Sequence, residues 1–246
     1  MTSCSSSPRE LSPGLVVQGV APPLRLTDFR LIAFDMDSTL INIECVDEIA
    51  AAAGRKNEVA AITEAAMRGE IADYKDSLRR RVALLEGVAE AHLAQVYRAH
   101  LRLNPGAAEL VLAAKAAGLK VLLVSGGFTY FAERLRQRLA LDFVRSNLLE
   151  IADGKLTGRI LSQCWGDICD GAMKRDTVLH TCSLIGCDPE QAIAMGDGAN
   201  DLEMMRVAGL SVAYHAKPKV RAEAQVAINT GGLERLLEVF EPGNRS

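Results

Sequence analysis

Two acids one residue apart close a short apolar run: Leu31, Ile32, Ala33, Phe34, Asp35, Met36, Asp37, Ser38, Thr39, Leu40. A chain that turns at a strand end can gather both carboxylates around one point. Carboxylates that close repel unless a cation or a proton separates them. By itself the run reads equally as a strand-to-loop junction with solvated acids. Two further runs end in complementary chemistry. Ser125-Gly126-Gly127 follows residues 121–124, and a hydroxyl with free backbone N–H groups where a helix begins makes an anion site; the plain alternative is a turn. Gly196-Asp197-Gly198-Ala199-Asn200-Asp201 follows residues 192–195 and crowds two more acids and an amide into a glycine loop. Lys174 opens an amphipathic pattern ahead of that run, although a lone lysine is ordinarily part of a solvated face. Together these positions offer carboxylates for a hard dication and donors for a phosphate, and an oxygen-only ligand set suits Mg2+. A carboxylate nucleophile, a phosphomonoester dianion and Asp197 carry about −4; Mg2+, Lys174 and a helix N-terminus offset it. A carboxylate screened in this way can attack phosphorus and form an aspartyl phosphate.

The elements that must position these groups follow from patterning. Residues 31–34, 121–124, 192–195, 211–214 and 226–228 are apolar runs of the kind buried on both faces of a sheet. Helical segments separate most of them, which predicts an α/β fold, a Rossmann-like parallel sheet wound on both sides. Asn104-Pro105 predicts a helix N-cap followed by proline; that helix carries Leu110, Val111 and Ala114 and stops at Gly118. A further helix is expected from about Phe128 to Leu139. About sixty residues ahead of Asn104 show no strand signal. Instead, 46–53, 58–67, 74–85 and 91–103 have helical apolar spacing, which predicts an inserted four-helix cap over the carboxyl edge of the sheet. Asp153-Gly154 between 148–151 and 155–157 predicts a small β-hairpin insertion. The expected division is a flexible N-terminal tail (1–27), a catalytic core (28–42 and 104–246) and a helical cap (43–103).

Composition narrows the classes. The 246 residues are 49% hydrophobic and 24% charged, with net charge −3 and mean hydropathy +0.10, a globular balance with no basic footprint for nucleic acid. Aromatics are only 4%, too few for base-stacking platforms. No apolar run approaches the roughly 20 residues that span a bilayer. The six cysteines, at 4, 45, 164, 169, 182 and 187, are expected to be reduced cytoplasmic thiols; the spacing of the 164/169 and 182/187 pairs is loose for zinc. His92, His100, His180 and His215 form no ligand pattern.

In order and spacing, Asp35-x-Asp37-Ser38-Thr39, Ser125-Gly126-Gly127, Lys174 and Gly196-Asp197-Gly198-Ala199-Asn200-Asp201 resemble the four motifs of the haloacid dehalogenase superfamily. Over roughly 28–237 the chain is similar to that superfamily's phosphoserine phosphatase family, through Glu44, Val46-Asp47-Glu48-Ile49-Ala50, Ala66-Met67-Arg68-Gly69, Ser77-Leu78-Arg79-Arg80-Arg81-Val82 and Ala213-Tyr214-His215-Ala216-Lys217-Pro218. The resemblance implies Mg2+-dependent hydrolysis of O-phospho-L-serine to L-serine and phosphate, the last step of serine biosynthesis. Asp35 would be the nucleophile and Asp37 the acid and then the base. Mg2+ would be held by Asp35, the Asp37 backbone carbonyl and Asp197, with Asp201 supporting from behind. Ser125, the Gly126 N–H, Lys174 and Asn200 would bind phosphate or substrate. Glu44 would take the substrate ammonium, and Arg81 its carboxylate through a two-pronged contact; read without the resemblance, Glu44 is a helix-start acid and Arg79-Arg80-Arg81 a solvated face. Met67 and Tyr74 would wall the pocket or pack the cap. Some relatives carry a regulatory domain in front, for which 1–27 is too short. The expected partner is this small molecule alone, for a monomer or homodimer in the cytoplasm, with no nucleic acid and no membrane. The alternatives are another small phosphomonoester such as phosphohomoserine, phosphoryl transfer to an alcohol, a signalling receiver module, which needs neither cap nor second acid, and an inactive binding protein.

Overall fold

Leu31–Phe34 contains no side chain that tolerates water, so it must lie where a sheet is covered on both sides. In the computed structural model, which describes residues 7–67, 71 and 73–242, it is an interior strand of a nine-stranded sheet. The strands among the described residues are β1 (Arg9–Ser12), β2 (Leu15–Val17), β3 (Leu31–Phe34), β4 (Lys120–Phe128), β5 (Phe143–Ala152), β6 (Lys155–Leu161), β7 (Ala192–Gly196), β8 (Leu210–Tyr214) and β9 (Val226–Ile228). Their spatial order is β1-β2-β9-β8-β7-β3-β4-β5-β6. The six strands from β9 to β5 run parallel; β2, β1 and β6 are added antiparallel at the two edges. Alternate residues of β3 serve opposite faces. Ile32 and Phe34 join a cluster with Leu110, Val111, Phe131 and Leu135, whereas Leu31 and Ala33 join one with Val178, Cys182, Leu202 and Met205.

Register places the chemistry. Phe34 lies level with Leu123 of β4 and Met195 of β7, and Asp35 N–H donates to the Met195 carbonyl at 2.9 Å. Asp35, Ser125 and Asp197 therefore emerge from three adjacent strands at one carboxyl edge, where open α/β sheets hold ligands.

Between β3 and β4 the chain forms α1 (Cys45–Ala52), α2 (Lys56–Met67), α3 (Tyr74–Ala83), α4 (Glu90–Gln95) with a wide helical turn at Val96–His100, and then α5 (Ala107–Ala116). Val46, Ile49 and Ala50, and Leu78 and Val82, are buried at the i, i+3, i+4 spacing of one helix face. The remaining helices are α6 (Thr129–Leu139), α7 (Gly171–Ile185), α8 (Leu202–Val207) and α9 (Pro218–Glu223).

Three local expectations change and one is met. Residues 9–12 and 15–17, expected within a flexible tail, form β1 and β2, and Leu15 and Val17 are buried. The expected hairpin is present and grows out of the sheet: β5 pairs in parallel with β4 through its first half and runs on into the hairpin with β6. Its turn has positive φ at both Asp153 (49°) and Gly154 (71°), the backbone that Asp-Gly favours. Asn104 does not cap a helix: Gly106 precedes α5, and the Asn104 amide donates to the carbonyls of Thr39 (2.8 Å) and Ile41 (3.0 Å), pinning the loop after β3. Ser125-Gly126-Gly127 is still extended within β4, and α6 starts only at Thr129.

Candidate active site

The chain after β3 turns at once. Met36–Leu40 makes a tight non-helical turn, with Asp37 extended (φ −68°, ψ 133°) and Ser38 in the left-handed region at φ 58°. This tight return keeps Asp35 and Asp37 on the wall of one cavity, about 310 Å³ in volume, which they share with Ser125, Gly126, Asp197 and Asn200.

Asp35 is almost fully buried. Lys174, 0% exposed, reaches its Oδ1 at 2.5 Å and Asp201 Oδ1 at 2.6 Å. The lysine is delivered by the first turn of α7, whose N-terminus is capped by the Asp170 carboxylate accepting from Met173 N–H at 2.9 Å. A buried ammonium persists only with such partners; burial disfavours its charge, but Asp201 and Asp35 outweigh that and hold Lys174 protonated well above its usual range. Lys174 thus clamps the nucleophile candidate from beside it and is not itself among the residues lining the cavity. The lysine that lines the cavity is Lys217, after β8.

Carboxylate oxygens of Asp35, Asp197 and Asp201 lie within 4.8 Å of one another. Asp201 is engaged on both oxygens, by Lys174 and by Gly198 N–H at 3.0 Å. Asp197 accepts from Thr39 Oγ1 at 3.3 Å. Burial and the charge of Asp201 push the Asp35 carboxyl up against the pull of Lys174; burial, then Asp201 and Glu44, raise Asp197 to about 6. Three carboxylates around one ammonium leave an excess of negative charge, and every free donor is oxygen. That set fits a hard divalent cation. The loop is built for this closeness: a Cβ on Gly196 would collide with the Asp201 carboxyl.

The Asp37 carboxylate is not part of that trio. The sequence grouped its backbone carbonyl with the side chains of Asp35 and Asp197; the side chain gathered with those two is that of Asp201. Asp37 Oδ1 is buried with no hydrogen-bond partner among the described residues. Burial, then the nearby charge of Glu44, raises its carboxyl to about 8, so it holds a proton at neutral pH.

On β4, Ser125 is buried and its Oγ accepts from Gly127 N–H at 2.8 Å. A Cβ on Gly126 would strike the Tyr74 hydroxyl, and one on Gly127 would strike Met36 and Asp37. Both glycines are therefore demanded by close approach. Asn147, which the sequence did not single out, is fully buried; it donates to the Gly126 carbonyl at 2.7 Å and accepts from Cys169 N–H at 2.8 Å, tying the β4 loop to the segment that leads into α7.

Elsewhere the cavity is lined from α1, α2 and α3. Glu44 accepts from Ser38 Oγ at 2.7 Å. Arg79 and Arg80 are exposed and pair with Asp167 and Asp76, whereas Arg81 lines the cavity. Tyr74, Asp47 and Thr63 share that wall. Of these, Thr63 carried no sequence signal beyond helical spacing, and Asp47 stood in a matching segment without an assigned role. Residues 68–69 and the Met67 side chain, expected near Tyr74, lie outside the described residues. The remaining rival sites are weak: among the described residues, no Cys or His joins a potential metal cluster, and no helix is long and apolar enough to cross a membrane.

Known proteins resemble the chain over nearly all of this framework. The haloacid dehalogenase-like hydrolase model matches residues 29–209. A phosphoserine phosphatase of Albidiferax ferrireducens is 69% identical over 96% of this chain and 99% of its own length, and one from a Polaromonas species is 71% identical over 95% and 99%. A solved structure of a phospho-aspartyl intermediate analogue of phosphoserine phosphatase superposes with a TM-score of 0.79 at 35% identity, covering 87% of this chain and 99% of that one.

Proposed function

The chain belongs to the haloacid dehalogenase-like hydrolase family, and from that premise we propose that it hydrolyses O-phospho-L-serine to L-serine and phosphate, the closing step of serine biosynthesis. The observation that carries the substrate is the mixed polarity of one small cavity: paired acids, the Ser125-Gly126-Gly127 donors, Glu44 and Arg81 all line it. A phosphomonoester with an ammonium and a carboxylate complements that set.

Asp35 attacks phosphorus; the new Oδ–P bond forms as the ester P–O bond breaks. Asp37, protonated, gives its proton to the departing serine oxygen. It then takes a proton from the water that attacks the aspartyl phosphate, which releases phosphate and restores Asp35. Ser125 Oγ and the Gly126 N–H hold phosphate oxygens, Asn200 orients them, and Lys217 adds positive charge at the wall. Lys174 holds Asp35 in place, pulls its carboxyl toward the ionised form against burial and Asp201, and adds positive charge for the phosphate. Asp35 and Asp197 would hold Mg2+, with the Asp37 carbonyl, while Asp201 anchors Lys174 and the glycine loop. The bound ion would neutralise phosphate charge during transfer. Glu44 and Arg81 take the ammonium and carboxylate of the substrate. We read helices α1–α4 as a cap that excludes water during transfer and reopens for release, and the chain as a cytoplasmic protein with reduced thiols.

The test is phosphate release across O-phospho-L-serine, phosphohomoserine and p-nitrophenyl phosphate, with Mg2+, with EDTA, and with Ca2+ in its place. Turnover should favour phosphoserine, vanish with EDTA and stay low with Ca2+, whose larger and looser shell suits a different cage. Turnover unchanged by EDTA, or a preference for an ester without ammonium and carboxylate, would refute the proposal.

A further inference from the structure

The far wall of the cavity holds a second acid that the mechanism above leaves unused. Asp47 on α1 and Arg81 on α3 line the same cavity, and each carries an orphan: Asp47 Oδ1 and Arg81 Nε are buried with no hydrogen-bond partner among the described residues. An unpaired buried acceptor and an unpaired buried donor each cost free energy, and the cost disappears when they meet. The charges already sense each other: burial raises the Asp47 carboxyl, and Arg81 is the foremost influence against it. Glu44 is differently placed. Its oxygen is taken by Ser38, and its charge bears on Asp37 and Asp197. The neighbours of Arg81 are occupied elsewhere, Arg79 by Asp167 and Arg80 by Asp76.

A guanidinium presents two edges to carboxylates, one through Nε and one Nη, the other through both Nη groups. An acid on the first edge leaves the second free and fixes its direction. Resting on the phosphoserine reading, we propose that Asp47 is a positioning residue for Arg81: the two orphan atoms are unpaired among the described residues, and as substrate binds the Asp47 carboxylate takes the Nε edge, aims the outer edge at the carboxylate of the substrate, and so sets the preference for phosphoamino acids over esters lacking that group. The idea needs no contact between Asp47 and substrate, which makes it separable from a second ammonium site.

A double-mutant cycle tests it. Steady-state kinetics of the unaltered protein, Asp47→Asn, Arg81→Ala and the double variant are compared on O-phospho-L-serine and on phosphoethanolamine, which keeps the phosphate and ammonium and lacks the carboxylate. Asp47→Asn should raise KM for phosphoserine about tenfold, with a much smaller change in kcat and in KM for phosphoethanolamine, as expected for loss of one aligned charge-assisted contact. In the Arg81→Ala background the same change should add less than about twofold, because coupled residues are not additive. Turnover of phosphoethanolamine shows that each variant is folded. Equal KM effects on both substrates, or a full Asp47→Asn effect without Arg81, would overturn the role of Asp47 while leaving the phosphoserine reading intact. No phosphate release from phosphoserine by the unaltered protein would overturn both.

Discussion

Lys174 and Asp35 show how one buried ion pair can serve chemistry more than stability. A buried pair recovers little net free energy beyond its desolvation cost, but removing one partner strands the other charge. Asp35→Asn keeps shape and hydrogen-bonding capacity, and Asp201 still neutralises Lys174. The variant should therefore fold, with circular dichroism like that of the unaltered protein, while phosphate release falls by at least about 10³-fold through loss of the nucleophile; residual turnover within tenfold would remove Asp35 from that role. Asp37 makes a pH prediction. Its carboxyl is raised to about 8 by burial and by Glu44, and it must carry a proton when the ester bond breaks. The sign follows: as pH rises through that value the acid form is lost, so kcat should decline on the alkaline side, and Asp37→Asn, which cannot titrate, should be slow with no alkaline limb. A profile flat to pH 9.5 would show that another group donates. At this scale the sequence was most legible, because Asp35, Ser125 and Asp197 each follow an apolar run that could only be a central strand. Asn147 was not legible: an isolated amide acquires meaning only from Gly126 and Cys169, far off in sequence.

Helix α3 brings Tyr74 and Arg81 to the cavity, and its outer face is pinned to the segment entering α7. Lys75 Nζ lies 3.3 Å from Asp167 and 3.5 Å from Asp170, and Arg79 joins Asp167. Burial opposes ionisation of Asp167, yet the hydrogen bonds from Lys75 and from Ile168 N–H prevail and hold its carboxyl below the usual range. These groups are partly exposed, so solvent screens them and each pair contributes at most about 1 kcal/mol. Asp167→Asn should lower the melting temperature by no more than about 2–4 °C. The unaltered protein should lose a similar amount between 0.05 and 1 M NaCl, and the variant should lose less, since salt screens exposed pairs. Thermal melts at the two salt concentrations check this; an equal salt effect in both would show that the pairs contribute nothing. The existence of α1–α4 was readable from apolar spacing, but this contact was not: nothing local in Lys75 or Asp167 indicates that residues ninety positions apart meet.

Across the whole molecule, the sheet solves an edge problem that the sequence concealed. Ser- and Pro-rich flanks make residues 7–20 read as a tail, and strands of four and three residues are too short to show a period. Yet β2 pairs antiparallel with β9, matching Leu15 to Ile228 and Val17 to Val226, and buries Leu15 and Val17 completely or nearly so. Arg235 fastens the β1–β2 turn, donating from Nη1 to the Pro13 carbonyl at 2.7 Å. Without this pair β9 would expose a row of unpaired backbone groups and apolar surface, a template for association. Burying each of those two side chains contributes roughly 1.5–3 kcal/mol. Removing residues 1–18 should therefore lower the melting temperature by about 10 °C at this chain length and promote aggregation on heating. The cavity lies at the carboxyl ends of β3, β4 and β7, which this edge does not touch, so KM for phosphoserine at 25 °C should stay within about twofold. Melting followed by light scattering, alongside phosphate release, separates the two effects. A truncated chain that melts like the full one would show that β1 and β2 ride on the sheet without supporting it, whereas a changed KM would mean that the far edge reaches the site through the sheet.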